Sequence, residues 1–184
     1  MTSVPSAGIT GRFASRVVGA LRLSRHAYED VATDGMSLPQ GALVLIAAAV
    51  ASGAGAIGLS TETLNGGPGT VFVSGMFSAL FAWLLWTVST MVAAGILDRG
   101  VPEKRIWGRM FRASLFAQAP VVFWVVGFVP VIDKYAILVI LAWQVAAMTV
   151  AVRQAFGGMS YGWALAPAVI GYVPVALVNF FIIG

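Results

Sequence analysis

Gln118, Gln144 and Asn179 are the most polar groups set within otherwise apolar stretches of this chain, beside scattered hydroxyls such as Ser74, Ser78, Thr87 and Ser89. Amides in such surroundings either line a path for a neutral solute or tie one helix to another, the latter worth about 1 kcal/mol each. Acid–base chemistry has thinner support. The single histidine, His26, lies close in sequence to Glu29 and Asp30, where a solvated surface group is the ordinary outcome and a general base the rarer one. Gly53, Gly55 and Gly58 spell Gly-x-Gly-x-x-Gly, but a dinucleotide site needs that pattern between a strand and a helix. Here it sits inside a long apolar run. Cysteine is absent, and no His/Asp/Glu group has metal-ligand spacing. Catalytic, cofactor-binding and metal-binding residues are therefore all expected to be none, and the chain is expected not to be an enzyme.

The elements that must position those amides are long and apolar. Five charge-free runs, Gly35–Thr61, Thr63–Leu97, Ala113–Ile132, Tyr135–Val152 and Gln154–Gly184, account for most of the 184 residues. An apolar helix needs ~20 residues to cross a hydrocarbon core about 30 Å thick. The shortest run reaches that length once Lys134 and Arg153 snorkel to opposite interfaces. Gly66-Gly67-Pro68-Gly69 reads as a turn that leaves one span after it. With 59% hydrophobic and only 10% charged residues, too little polar sequence remains to cover a soluble core. The expected fold is all-α: a polytopic membrane protein of five transmembrane helices, at about 38–59, 71–97, 112–130, 135–156 and 162–183. A cytoplasmic amphipathic arm, residues 1–37, precedes them. No Asp, Glu, Lys, Arg or His falls in the middle of any expected span, and such residues are the usual carriers of proton-coupled transport.

Charge sets the orientation. Arg12, Arg16, Arg22, Arg25, Arg99, Lys104, Arg105, Arg109, Arg112 and Arg153 fall on one side, leaving Lys134 alone among the eleven basic residues. The positive-inside rule then puts the N-terminus in the cytoplasm and Gly184 outside. Trp107, Trp163, Tyr28, Tyr135 and Tyr161 fall near the expected interfaces, as amphipathic rings prefer. A net charge of +4 arranged around apolar spans points to the bilayer and its anionic headgroups as partners, not to nucleic acid.

The first 37 residues lack the apolar core of a cleaved signal, although the acid-free start resembles a transit peptide in composition. A helical wheel accounts for them better. Phe13, Ala14, Val17, Val18, Ala20 and Leu21 share one face; Arg12, Ser15, Arg16, Gly19 and Arg22 share the other. Such a helix lies in the interface plane or packs on the cytoplasmic end of the bundle. Glu29, Asp30 and Asp34 form an acidic cluster that complements Arg105, Arg109 and Arg112, with Arg153 on the same side.

Small residues suggest how the spans meet. Ala47, Ala51 and Gly55 recur every fourth position on the first span, a spacing that lets another backbone approach, from within the bundle or from a second copy. Gly158 and Gly162 repeat it or form a loop. Pro167 and Pro174 lie seven residues apart on the fifth span, and Pro120 interrupts the third. Each removes an amide donor, freeing the carbonyls of Trp163, Ile170 and Phe116. At membrane depth those carbonyls must find partners. A kinked packing helix does this, and so does a small polar pocket shared by Gln118 and the fifth-span carbonyls.

Several segments carry a resemblance. Arg25-His26-Ala27-Tyr28-Glu29-Asp30-Val31, the run Phe111–Pro120, Trp143 with Ala151–Phe156, and Ala164-Leu165 with Ile170-Gly171 resemble the bacterial branch of the Yip1 domain family over roughly residues 20–180. The resemblance implies a five-span scaffold of the bacterial inner membrane. The Asp-Leu-Tyr-Gly-Pro element that accompanies Rab binding in the eukaryotic branch is not found here. The expected function is a membrane-organising scaffold or accessory subunit, working as a homo-oligomer or with other membrane proteins. The competing expectation is a facilitator for a neutral or small solute. Orientation can be checked directly in this cysteine-free chain. A cysteine introduced at Glu62 should react with an impermeant thiol reagent from outside, and one at Arg105 only from the cytoplasmic side.

Overall fold

Helix formation follows the charge-free runs closely, and the exceptions are instructive. The computed structural model describes residues 9–59, 67–97, 104–128 and 133–182. These form seven α-helices: α1 (Ile9–Leu21), α2 (Arg25–Thr33), α3 (Ser37–Leu59), α4 (Gly67–Leu97), α5 (Lys104–Phe116), α6 (Asp133–Ala155) and α7 (Tyr161–Ile182). A ten-residue 3-10 helix, Ala119–Phe128, separates α5 from α6. Within α3, α4, α6 and α7 lie four stretches long and apolar enough to cross a membrane. Large apolar side chains such as Phe77, Phe81, Ile96, Leu138 and Val139 face outward. Water does not tolerate so much exposed hydrocarbon, whereas acyl chains do. The architecture is that of a polytopic membrane protein. Glu62, Gly66, Asp98, Arg99, Gly184 and the side chain of Asn179 lie outside the described residues.

Three expectations need correction. The segment expected as a third α-helical span, 112–130, is the end of α5 followed by a break at Ala117–Gln118 and then the 3-10 helix. Pro120 is the cause: it cannot donate to Phe116, and the residue before a proline avoids helical angles. Secondly, the turn expected at 66–69 is taken up from Gly67 onward by the start of α4. Gly67 adopts φ +75° and Pro68 follows it in the first turn, where no amide donor is needed. Thirdly, the arm holds two helices in place of one. Val18, Ala20 and Gly19 carbonyls accept from Arg22, Leu23 and Ser24 N–H groups, closing α1 with Leu23 in the left-handed region at φ 56°. α2 then folds back, so that Gly19 rests against Ala27.

Close backbone contact organises the bundle. On α3, Gly41 lies against Leu115 and Phe116, and Gly55 against the main-chain carbonyl of Trp124. Fourteen residues of α-helix rise about 21 Å. The 3-10 helix, which begins at Ala119, rises about 2.0 Å per residue, so the segment from Leu115 to Trp124 covers most of that height. The broken segment therefore runs alongside α3 in the same direction. Gly53 faces the carbonyl of Phe72 on α4, and Gly171 on α7 sits directly on the backbone of Thr90. Tyr28, Met110, Phe116, Met148 and Val152 fill the shared core with almost no exposure. Replacing Gly55 or Gly171 with leucine should destabilise the monomer by at least ~1–3 kcal/mol, because backbone cannot move aside as a side chain can. Ala47→Leu, at an outward position, should leave the thermal midpoint nearly unchanged.

Candidate functional site

The break before Pro120 does more than interrupt a helix. Ala117 still donates its N–H to Ala113, four residues back, while Gln118 donates to Leu115 and Val121 to Gln118, three back. The tightened winding aims Gln118 at α6, where Gln144 Nε2 donates to Gln118 Oε1 at 2.8 Å. The two amides picked out in the sequence thus meet. Gln118 Nε2 is buried without an acceptor among the described residues. Beside it, Trp143 stacks on Phe123, 5.6 Å between centroids. Its indole N–H donates to the Leu21 carbonyl at the end of α1, at 2.9 Å. The arm, the break and α6 therefore meet around these side chains.

The prolines of α7 belong to a different seam. Pro167 is fully buried and Pro174 half-buried, on the same side of the helix as Gly171, which meets α4. Trp86 of α4 donates its indole N–H to the Ala168 carbonyl at 2.8 Å and meets the Tyr172 ring edge-on at 5.1 Å. The hydroxyls of Thr87 and Thr90, on the same helix as Trp86, are buried and have no partner among the described residues. α7 thus packs along α4 with both prolines inside the helix. On α4 and α5, Trp83 donates to the Ser114 hydroxyl at 3.3 Å.

Charge is arranged around a residue that the wheel placed outward. Arg16 has a side chain only 2% exposed, because the inward face of α1 is Phe13, Arg16, Val17, Ala20 and Leu21. Its Nε donates to Asp30 at 2.7 Å, Nη1 to Gln40 at 2.8 Å and Nη2 to Asp34 at 2.5 Å. One guanidinium thus joins α1, α2, the α2–α3 turn and α3. Asp30 and Asp34, two of the three acids expected to meet α5, are engaged here instead. Arg112 takes another role, donating twice to the Ala32 carbonyl at the end of α2, at 2.6 and 3.1 Å. Arg105 is exposed; Arg109 has a buried Nε without an acceptor among the described residues; Glu29 is exposed and unpaired among them. Arg153 reaches the Met159 carbonyl at 2.8 Å.

Of the small stripe on α3, Ala51 and Gly55 are buried within the monomer and Ala47 is exposed. Gly158 is a helix-end residue with φ +92°, hence part of a loop. Two features escaped the sequence reading. α2 is one, although Ala27, Tyr28, Val31 and Ala32 have helical spacing. The burial of Tyr28 is the other: its ring is wholly enclosed, and desolvation pushes its phenol well above the ordinary range. Among the described residues no three of His, Asp and Glu come together as metal ligands would. No protein-family model, curated protein or solved structure matches this chain.

The Arg16 bridge has a defined pH range. The Arg16 hydrogen bond, and secondarily the Met36 N–H, hold the Asp34 carboxyl below its ordinary value of 3.8. A carboxyl depressed in the folded state contributes stability that is complete above that ordinary value. The contribution is lost as pH falls through the lower, folded value. Hydrogen exchange should therefore show α1 protected at neutral pH and progressively less so below about pH 4, with Asp34→Asn flattening the dependence. Arg16→Gln should cost about 1–3 kcal/mol, less than a fully buried pair because Asp30 is 53% exposed.

Proposed function

We propose that this chain is a non-enzymatic, five-span scaffold or accessory subunit of a membrane complex, of Yip1 type and resident in a bacterial inner membrane. Its N-terminus is cytoplasmic and its C-terminus outside. The observation that carries this reading is the use made of polar groups at membrane depth. Gln118, Trp83 and Trp86 each take part in a bond between two helical segments, leaving the interior knitted together rather than open. The fifth crossing is assigned to the 3-10 segment because of its path along α3 from Gly41 to Gly55. The Yip1 assignment rests on the sequence of segments such as Arg25–Val31 and Phe111–Pro120.

A second reading has an observation of its own. Gln118 Nε2 and the Thr87 and Thr90 hydroxyls are buried donors without partners among the described residues, and each leaves a desolvated group that a small polar solute could satisfy. Proteoliposome flux separates the two. The scaffold reading expects no saturable flux of small neutral solutes such as glycerol or urea. It also expects Gln118→Ala to weaken the fold by about 1 kcal/mol and nothing more. Saturable flux abolished by Gln118→Ala in a folded protein would promote the facilitator.

A further inference from the structure

The short connection between α6 and α7 is built tightly. At the end of α6, Gly158 N–H bonds back to Arg153 and Gly157 N–H to Gln154, with both glycines at positive φ, +77° and +92° for Gly157 and Gly158. That is a helix stop only glycine takes without strain. Arg153 Nε then closes the loop on the Met159 carbonyl, and Ser160 begins α7 by accepting the Trp163 N–H at 3.5 Å. Arg153 and Tyr161 are thereby fixed side by side.

A second arginine arrives from the arm. Arg25, at the start of α2, donates its Nε to the Tyr161 hydroxyl at 2.7 Å. Its guanidinium carbon lies 5.1 Å from the Tyr161 ring centroid, and that of Arg153 lies 4.7 Å from the same centroid. Two cations thus share one aromatic ring, within about 10 Å of each other by that geometry. The ring attracts each of them, but it does not cancel their mutual repulsion. Among the described residues no carboxylate pairs with either; Glu29, one turn along α2 from Arg25, does not reach it. Arg16 and Arg112, by contrast, have their forks filled by carboxylates, an amide and a carbonyl. Among the described residues Arg25 and Arg153 each bond through Nε alone, and their Nη groups have no acceptor there.

The surroundings favour an anion. The positive end of the α7 dipole lies here, and the first amides of a helix have no intrahelical acceptor. A Cβ placed on Gly157, Gly158 or Gly162 would meet nothing within 4 Å, so the loop and the first turn of α7 are open at these glycines. Trp163, exposed within the first turn of α7, has the amphipathic ring found at headgroup level.

We propose that Arg25, Arg153 and Tyr161 form a binding site for a phosphate group, supplied by an anionic lipid headgroup or by free phosphate. Guanidinium forks match phosphate oxygens two at a time, and the site offers two forks held by three helices. The site does not depend on whether the chain is a scaffold or a facilitator. The test uses full-length protein in an uncharged detergent, titrated with dioctanoyl phosphatidic acid, dioctanoyl phosphatidylcholine and inorganic phosphate. Native mass spectrometry reads stoichiometry and thermal shift reads affinity. Phosphatidic acid should bind saturably at one per chain and phosphatidylcholine more weakly. Arg25→Gln should lower affinity about tenfold, the effect of losing one charge-assisted contact. Arg25→Lys keeps the charge but not the fork and should still bind several-fold more weakly. Arg105→Gln, an exposed charge elsewhere, should have no effect. Competition by inorganic phosphate at similar concentration assigns free phosphate as the source; binding of the lipid alone assigns the headgroup. Absence of saturable binding, equal loss in Arg105→Gln, or wild-type affinity in Arg25→Lys would each overturn the site.

Discussion

The close approach of backbones at the glycines of α3 is the constraint on which the rest of this bundle depends. In lipid no hydrophobic gain drives one apolar helix against another, because acyl chains are as apolar as the side chains that would be buried. What remains is van der Waals contact, which grows as backbones come nearer, together with hydrogen bonds across the seam. Gly41 and Gly55 bring the broken segment against α3, while Gly53 brings α4 there. A 3-10 helix is thinner than an α-helix but has poorer hydrogen-bond geometry and is seldom long. Irregular backbone is tolerated at membrane depth only where protein covers it. The packing on α3 supplies that cover, so the glycines are a condition for the proline break.

Once the break is in place, the arm has somewhere to dock. An arginine in a protein interior is costly unless its charge is matched and its donors are filled. Arg16 meets both conditions because α2 turns back and presents Asp30 and Asp34 to α1, while Gln40 arrives from the first turn of α3. The carboxylates stay partly hydrated, 53% and 27% exposed, which keeps their own desolvation small. Each partner comes from a different segment, so the network specifies how α1, α2 and α3 sit together and not merely that they attract. Ser37 reinforces the corner, its hydroxyl donating within 2.7 Å of the carbonyls of Val31 and Asp34.

Much of this was legible in the residues, and the failures have physical causes. Charge-free length located α3, α4, α6 and α7, because in lipid length and polarity are nearly sufficient to specify a spanning helix. The pairing of Gln118 with Gln144 was half visible: two amides in apolar surroundings need acceptors, but sequence alone does not say which seam supplies them. Pro120 alone implies a kink, but the β-branched residues Val121, Val122, Val125 and Val126 after it do little to restore α-helical winding. Arg16 was misplaced for a different reason. A wheel sorts residues by polarity and so puts every arginine outside, yet the helix spacing of Phe13, Val17, Ala20 and Leu21 brackets Arg16 on its own face. Polarity identified the helix; only the partners on α2 could reveal which way it turned.

The interior bonds also tie the arm to the bundle. From Arg16 the chain of contacts runs along α1 to the Leu21 carbonyl, across to Trp143, and through the neighbouring Gln144 to Gln118 at the break. An arm that merely floated on the headgroup layer would have no need of a bond to an indole on a spanning helix. Here the arm's last carbonyl and the bundle's polar pair are secured by adjacent residues of α6. Transmission of a signal through such a chain would require an element with two arrangements. The bonds described here define one arrangement. Within it the arm and the broken segment are joined through adjacent residues of one helix, Trp143 and Gln144.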